Sequence, residues 1–275
     1  MIKLGYQALH ITDDMFSKIL FAGVRFFLSG LIVLAVDTCR EKKFVQVPKE
    51  NRKYIISVAL IYTFLQYLFN YIGLSNTSGA LSSVLVSTSA FLSVIFAHFV
   101  YQNDKMNLQK IAGTVIGFVG VVIACSTGEN LGRLSFMGEG FILISTTCFV
   151  VGSLFNKKAT QRNTSFTVTS YNLIIGGGLL AFVGIIGYQG GITLSIAGIG
   201  ILCYLIMVSS VGFTLWSSLL RKYPIGLLGV YNFVIPVSGG LLSGIILGEN
   251  VWNIQYLLAF CLVGVGIVTV NFKRE

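Results

Sequence analysis

Residues 54–103 read YIISVALIYTFLQYLFNYIGLSNTSGALSSVLVSTSAFLSVIFAHFVYQN and contain no Asp, Glu, Lys or Arg. A soluble domain carries about a quarter of its residues as charges and needs them to cover its surface. This stretch holds two apolar runs, each of about twenty residues and long enough to cross a bilayer as a helix. A short polar turn, SNTSG at 75–79, separates them. The pattern extends outward. Residues 163–220, 223–248 and 250–272 also lack all four charged residue types. Over the 275 residues, hydrophobic residues make up 55% and charged residues 11%. Mean hydropathy is +0.83. That composition excludes a soluble globular protein, and its hydrophobicity excludes an intrinsically disordered one.

Nine runs are long and apolar enough to span: roughly 16–36, 54–74, 78–101, 109–127, 136–156, 165–188, 196–220, 224–247 and 253–271. They lack the strict alternation of a membrane β-barrel, and open sheets cannot satisfy their backbone in lipid. The expected fold is all-α, a polytopic membrane helical bundle in contact with the lipid bilayer. The net charge of +9 would suit nucleic acid, but the charges are confined to short segments between apolar runs, so no nucleic-acid partner is expected.

Lys and Arg in those segments set the orientation. One alternating set holds fifteen of them: Arg40, Lys42, Lys43, Lys49, Arg52, Lys53, Lys105, Lys110, Lys157, Lys158, Arg162, Arg221, Lys222, Lys273 and Arg274. The other holds three: Lys3, Lys18 and Arg133. The bias predicts a multi-pass membrane protein with a cytoplasmic C-terminus. Nine helices then place the N-terminus outside. The first ten residues, MIKLGYQALH, are too short to span and read like the last turns of a helix that began earlier. Ten helices are therefore expected in the complete protein. A nine-helix chain with a translocated N-terminus is the alternative.

Polytopic membrane proteins are often built from inverted repeats, and the two halves of this sequence share a pattern. An offset of 146 residues sets Gln109 opposite Gln255 and Gly120 opposite Gly266. In each half a polar turn (SNTSG, RKYPIG) leads into a small-residue-rich helix, then an acidic turn (QNDKM, GENVW), then a Gly-rich helix. Five helices separate equivalent elements, so the two copies would be inverted. Residues 1–127 are read as a first, incomplete repeat and 128–275 as a second.

These segments resemble the EamA-type family of the drug/metabolite transporter superfamily. FAGVRFFLSGLIVL at 21–34 resembles the family's second helix, with an Arg in its outer part. SGALSSVLVSTSAFLSVIFAHF at 78–99 resembles the fourth, and IPVSGGLLSGIILGE at 235–249 the ninth. The Gly-rich helices at 109–127 and 253–271 resemble the fifth and tenth. The pattern departs at 101–104, where YQND replaces Gly-Glu, and at Ala90, where the first repeat often has Pro. The resemblance implies ten helices and secondary transport of amino acids, related metabolites or toxic compounds.

Arg25 is the one Lys or Arg deep inside a predicted run, since Lys18 and Lys110 stand within the first few residues of theirs. A charge at the bilayer centre costs about 2.5–3.5 kcal/mol on insertion scales, so it normally faces the protein interior. At roughly 14 Å from the outer end, snorkelling fits poorly. The sequence does not decide between a substrate anion and a bond to a helix end as its partner. Tyr62, Gln66 and Asn70 follow at i, i+4 and i+8, one face of an α-helix, and serve a pathway or interhelical hydrogen bonds. Tyr231 and Asn232 precede Pro236, which frees a backbone carbonyl and kinks its helix. Trp216 reads first as a packing aromatic and second as pore lining. Tyr171 and Asn172 lie beside Gly176, Gly177 and Gly178, a set that suggests a close helix crossing. Small-xxx-small spacings at Gly113 and Gly117, and at Gly240, Gly244 and Gly248, mark tight contacts either inside one chain or in a homodimer.

The five cysteines show no ligand spacing, so neither metal nor cofactor is expected. No Walker sequence, HExxH or Ser-His-Asp set occurs, so no enzymatic activity is expected. The candidate pathway residues are Arg25, Tyr62, Gln66, Asn70, Tyr171, Asn172, Trp216, Tyr231, Asn232 and Pro236. The expected function is export or exchange of small metabolites or drugs by alternating access. A nucleotide-sugar or lipid-linked-sugar carrier is the alternative, although such anions ask for more inward cations than Arg25. An intramembrane enzyme on lipid substrates is the third reading.

Overall fold

The computed structural model describes residues 11, 14–100, 108–125, 135–188, 190, 195–223, 225–228 and 254–271. Among them the regular structure is entirely helical. The helices are α1 (Met15–Glu41), α2 (Lys49–Ser75), α3 (Gly79–Val100), α4 (Leu108–Cys125), α5 (Phe136–Arg162), α6 (Ser165–Ile186), α7 (Ile196–Lys222), the short α8 (Ile225–Leu228) and α9 (Ile254–Asn271). Of these, α1, α2, α5, α6 and α7 are long and apolar enough to cross a membrane. At 1.5 Å per residue, the 27 residues of α1 extend about 40 Å. The first seven predicted runs and the ninth coincide with these helices within a few residues at most ends. The eighth lies outside the described residues beyond Leu228, and so do Tyr231, Asn232, Pro236 and Gly240, Gly244 and Gly248.

Local chemistry sets the helix starts. The Asp14 carboxylate accepts from Ser17 N–H at 3.0 Å and caps α1. Thr164 Oγ1 caps α6 by accepting from Thr167 N–H at 3.1 Å. At α5, Ser135 Oγ accepts from Gly138 N–H at 3.2 Å while the Glu139 carboxylate reaches back to Ser135 N–H at 2.9 Å. Two segments are π-helical: Phe136–Gly140, which opens α5, and Ala59–Leu65, inside α2.

The chain divides into two units. Unit 1 takes Met1–Tyr71 and Gly152–Lys222; unit 2 takes Ile72–Val151 and Tyr223–Glu275. Each unit thus draws helices from both sides of residue 127.

In unit 1, α1 and α6 run antiparallel with their backbones touching. A Cβ on Gly30 would lie 2.7 Å from the Ile174 backbone nitrogen, and one on Gly177 would lie 2.5 Å from that of Phe27. One on Gly184 would stand 2.6 Å from the Leu20 backbone, and one on Gly23 would overlap that of Ala181. No side chain fits at these crossings, so glycine there is a packing requirement. Ile19, Ala22 and Phe26 of α1, Tyr71 of α2, and Leu173 and Leu180 of α6 form the core. Serine hydroxyls tie α7 to α1: Ser29 donates to the Ile206 carbonyl at 3.1 Å, and Ser210 to the Ser29 carbonyl at 3.2 Å.

Unit 2 repeats the device with α4 and α9. A Cβ on Gly120 would lie 2.9 Å from the Ala259 carbonyl oxygen, and one on Gly266 would lie 2.6 Å from that of Gly113. Residues 113 and 120 become 259 and 266 on a shift of 146, so the two contacts are reciprocal under the offset found in the sequence. The Phe91 ring of α3 occupies the space a side chain at Gly117 would need. The Gly113 and Gly117 pair therefore serves packing within the chain.

Candidate functional site

Unit 1 carries the buried polar groups that the sequence singled out. Arg25 lies ten residues into α1 and is 5% exposed. Its guanidinium carbon stands 4.3 Å from the centroid of the Phe26 ring, a cation–π contact. Its Nε has no hydrogen-bond partner, and no carboxylate of the described residues lies within ion-pair distance.

An aromatic cluster extends from the Phe26 ring. Phe26 meets Tyr67 of α2 at 4.4 Å between centroids and Phe213 of α7 at 5.6 Å. Phe213 also meets Tyr62 at 5.8 Å and Tyr67 at 6.2 Å, and Tyr67 meets Tyr71 at 6.3 Å. Tyr62 and Tyr67 are five residues apart. A straight α-helix would turn them to different faces, whereas the π-helical turn Ala59–Leu65, with its i to i+5 bonding, sets both against one ring. The α-helical stripe of Tyr62, Gln66 and Asn70 is thereby offset. Tyr62 is buried, its Cβ side against Gly152 of α5, while Gln66 and Asn70 are half-buried.

Asn172 is fully buried and accepts a 2.8 Å hydrogen bond from Thr63 Oγ1 at its Oδ1. Thr63 sits in the same π-helical turn, and Gly176 of α6 makes room for it, since a Cβ at 176 would lie 2.6 Å from that of Thr63. Gly177 faces α1, and Gly178 makes only ordinary contact with Phe27. The expected close crossing is therefore there, shared between two neighbouring helices. Tyr171 points elsewhere: its hydroxyl donates to the Val45 carbonyl at 2.8 Å and ties down the α1–α2 connection. Trp216 is half-buried on α7.

Two polar sites escaped the sequence reading. Asp37 falls beyond the first predicted run, yet α1 continues to Glu41 and the carboxylate is fully buried. Its Oδ2 accepts from Thr167 Oγ1 at 2.8 Å, in the first turn of α6, and its Oδ1 has no partner. The positive end of α6 favours an anion there. Asn156 of α5 donates to Ser217 Oγ of α7 at 3.1 Å, and Thr169 Oγ1 of α6 donates to the same oxygen at 3.0 Å. No group of three or more His, Cys, Asp or Glu gathers among the described residues.

Comparison with known proteins gives this arrangement a family. The EamA-like transporter family matches residues 10–126 and again 136–272. The chain belongs to the EamA-like transporter family. It is a multi-pass membrane protein and a transporter of small molecules. It is 23% identical to a protein named probable amino-acid metabolite efflux pump in Escherichia coli (strain K12), over 94% of this chain and 88% of that one. It is also 23% identical to the uncharacterized transporter YetK of Bacillus subtilis (strain 168), over 92% and 78%. A protein of known crystal structure superposes with a TM-score of 0.72 at 17% identity, over 98% of this chain and 94% of that one, a likeness of fold alone. For this EamA-like transporter, the nucleotide-sugar alternative finds no favour beside these relatives.

Proposed function

We propose that this EamA-like transporter exports amino acids or closely related metabolites across the inner membrane by alternating access, with its C-terminus in the cytoplasm. No enzymatic reaction is assigned to it. The observation that carries the reading is the number of buried polar side chains in unit 1, where Arg25, Asp37, Tyr62, Asn156 and Asn172 lie on four helices of a membrane-spanning bundle. Polar groups held away from both lipid and water need either protein partners or a passing solute. Gln66, Asn70, Trp216, Tyr231, Asn232 and Pro236 complete the proposed pathway, and Tyr171 borders it. The relative named as an amino-acid metabolite efflux pump supports the substrate class. The reciprocal α4 and α9 contacts support repeats at 1–127 and 128–275.

Metabolite accumulation in cells with and without the gene tests the reading. Cells lacking it should retain an amino acid or derivative that complemented cells release. Gln66→Leu and Asn70→Leu should abolish that release at normal membrane abundance. Full release by either variant would remove its residue from the pathway, and unchanged accumulation across all amino-acid metabolites would remove the substrate class.

A further inference from the structure

We propose that the basic end of unit 1 is a docking surface for anionic phospholipid, with one lipid phosphate held between Arg162 and Lys53 beside the Tyr54 ring. The proposal goes beyond the transport reading and does not depend on it. Three observations lead to it.

First, the fold gathers cations at one end of the unit. Asn51, near the start of α2, donates to Asn163 of the α5–α6 connection at 3.4 Å. Gln161, at the end of α5, donates at 2.9 Å to the Arg221 carbonyl at the end of α7. Asp37, near the end of α1, meets Thr167 in the first turn of α6. Residues 40–53, 157–162 and 221–222 are thereby brought to one end, and they hold eleven Lys and Arg against two acids, Glu41 and Glu50. Such a cluster beside membrane-spanning helices attracts anionic headgroups.

Second, two of these cations share one ring without an anion between them. The Arg162 guanidinium carbon stands 4.8 Å from the Tyr54 centroid and the Lys53 ammonium 5.3 Å from it, so both charges lie within 5.3 Å of one point. Both side chains are exposed, and neither has a carboxylate within ion-pair distance among the described residues. A ring contact uses the face of the guanidinium and leaves its N–H edges free to donate. Nor do the cations serve the helix that carries them: Lys49, Arg52 and Lys53 stand in the first turns of α2, whose positive end favours acids and repels cations. A phosphodiester, with one negative charge and two free oxygens, accepts from both partners and relieves their repulsion.

Third, the same end carries an exposed aromatic. Phe44, in the α1–α2 connection, is 62% exposed. That connection is tied down, since the Tyr171 hydroxyl donates to the Val45 carbonyl at 2.8 Å and Arg52 Nε to the Val47 carbonyl at 3.4 Å. The ring is costly in water, whereas a headgroup layer receives aromatic rings with Lys and Arg beside them. A soluble phosphate would satisfy the cations and leave Phe44 in water, so the occupant is a lipid.

Native mass spectrometry of the delipidated full chain tests this, with phosphatidylglycerol and phosphatidylcholine of identical acyl chains as probes. Phosphatidylglycerol should be retained roughly 10-fold more, as two cations at a membrane surface imply. Excess glycerophosphate should not displace it. Lys53→Gln with Arg162→Gln should lose most of the preference. Lys43→Gln with Lys222→Gln removes the same charge from the same end without touching the Tyr54 pair, and should keep it. Phe44→Ser should lower retention of both lipids. Equal retention of the two lipids, displacement by glycerophosphate, equal losses in the two double variants, or undiminished retention in Phe44→Ser would overturn the proposal. Should a variant fail to fold, the two lipids and glycerophosphate on the unaltered chain decide alone.

Discussion

Thr63 Oγ1 donates to Asn172 Oδ1 at 2.8 Å, joining the π-helical turn of α2 to the middle of α6. Both residues are fully or almost fully buried, so water cannot replace either partner. Thr63→Val keeps the shape and removes the donor. Interhelical hydrogen bonds in membranes contribute about 0.6 kcal/mol on average and up to about 1.7 kcal/mol. The variant should insert normally and melt at a lower temperature in detergent, followed by fluorescence-detected size exclusion. An unchanged melting temperature would show that the bond contributes nothing.

The glycine seam predicts a contrast between sites. Gly23→Val drives a branched side chain into the Ala181 backbone and should prevent accumulation of folded protein. Gly200 and Gly212 of α7 have open space where a Cβ would stand, so Gly200→Val and Gly212→Val should express as the parent does. Fluorescent-fusion yield and monodispersity report both. Equal tolerance at positions 23 and 212 would contradict the α1 and α6 contact.

Thr167 gives Asp37 its hydrogen bond, and a bond to a charged group is worth about 1.5–3 kcal/mol. Thr167→Val should therefore destabilise strongly in the unaltered chain and only weakly on an Asp37→Asn background. A double-mutant cycle of melting measurements reads the coupling directly. Additive effects would mean that the two side chains do not act together.

Orientation is tested by fusion. An alkaline phosphatase reporter placed after Glu275 should be inactive, as in the cytoplasm, and one inserted at 189–193 should be active. The opposite pattern would reverse the assignment made from the fifteen-to-three charge bias.

The runs of apolar residues announced the helices, because bilayer thickness allows few other readings of twenty uncharged residues. Arg25 was legible for the same reason, a charge set near the middle of such a run. Asp37 was not, since it heads a cluster of charges that reads as a connection; α1 is longer because the first turn of α6 covers it. The π-helical turn left no mark either. ALIYTFL at 59–65 is as apolar as its neighbours, and only ring contacts five residues apart betray it. The seam was half visible. Gly176 and Gly177 were adjacent and conspicuous, whereas Gly23 and Gly30, seven apart, fell outside the four-residue spacing by which such contacts are recognised.

At the four glycine crossings the backbones touch and leave no side chain to re-sort. With the Ser29 and Ser210 bonds added, α1, α6 and the adjoining stretch of α7 behave mechanically as one beam. Bending α1 alone would open gaps along a line of glycines that have no side chains to fill them. The buried guanidinium is fixed to that beam, so it can change its surroundings only by the travel of the whole beam or by other parts of the chain moving past it.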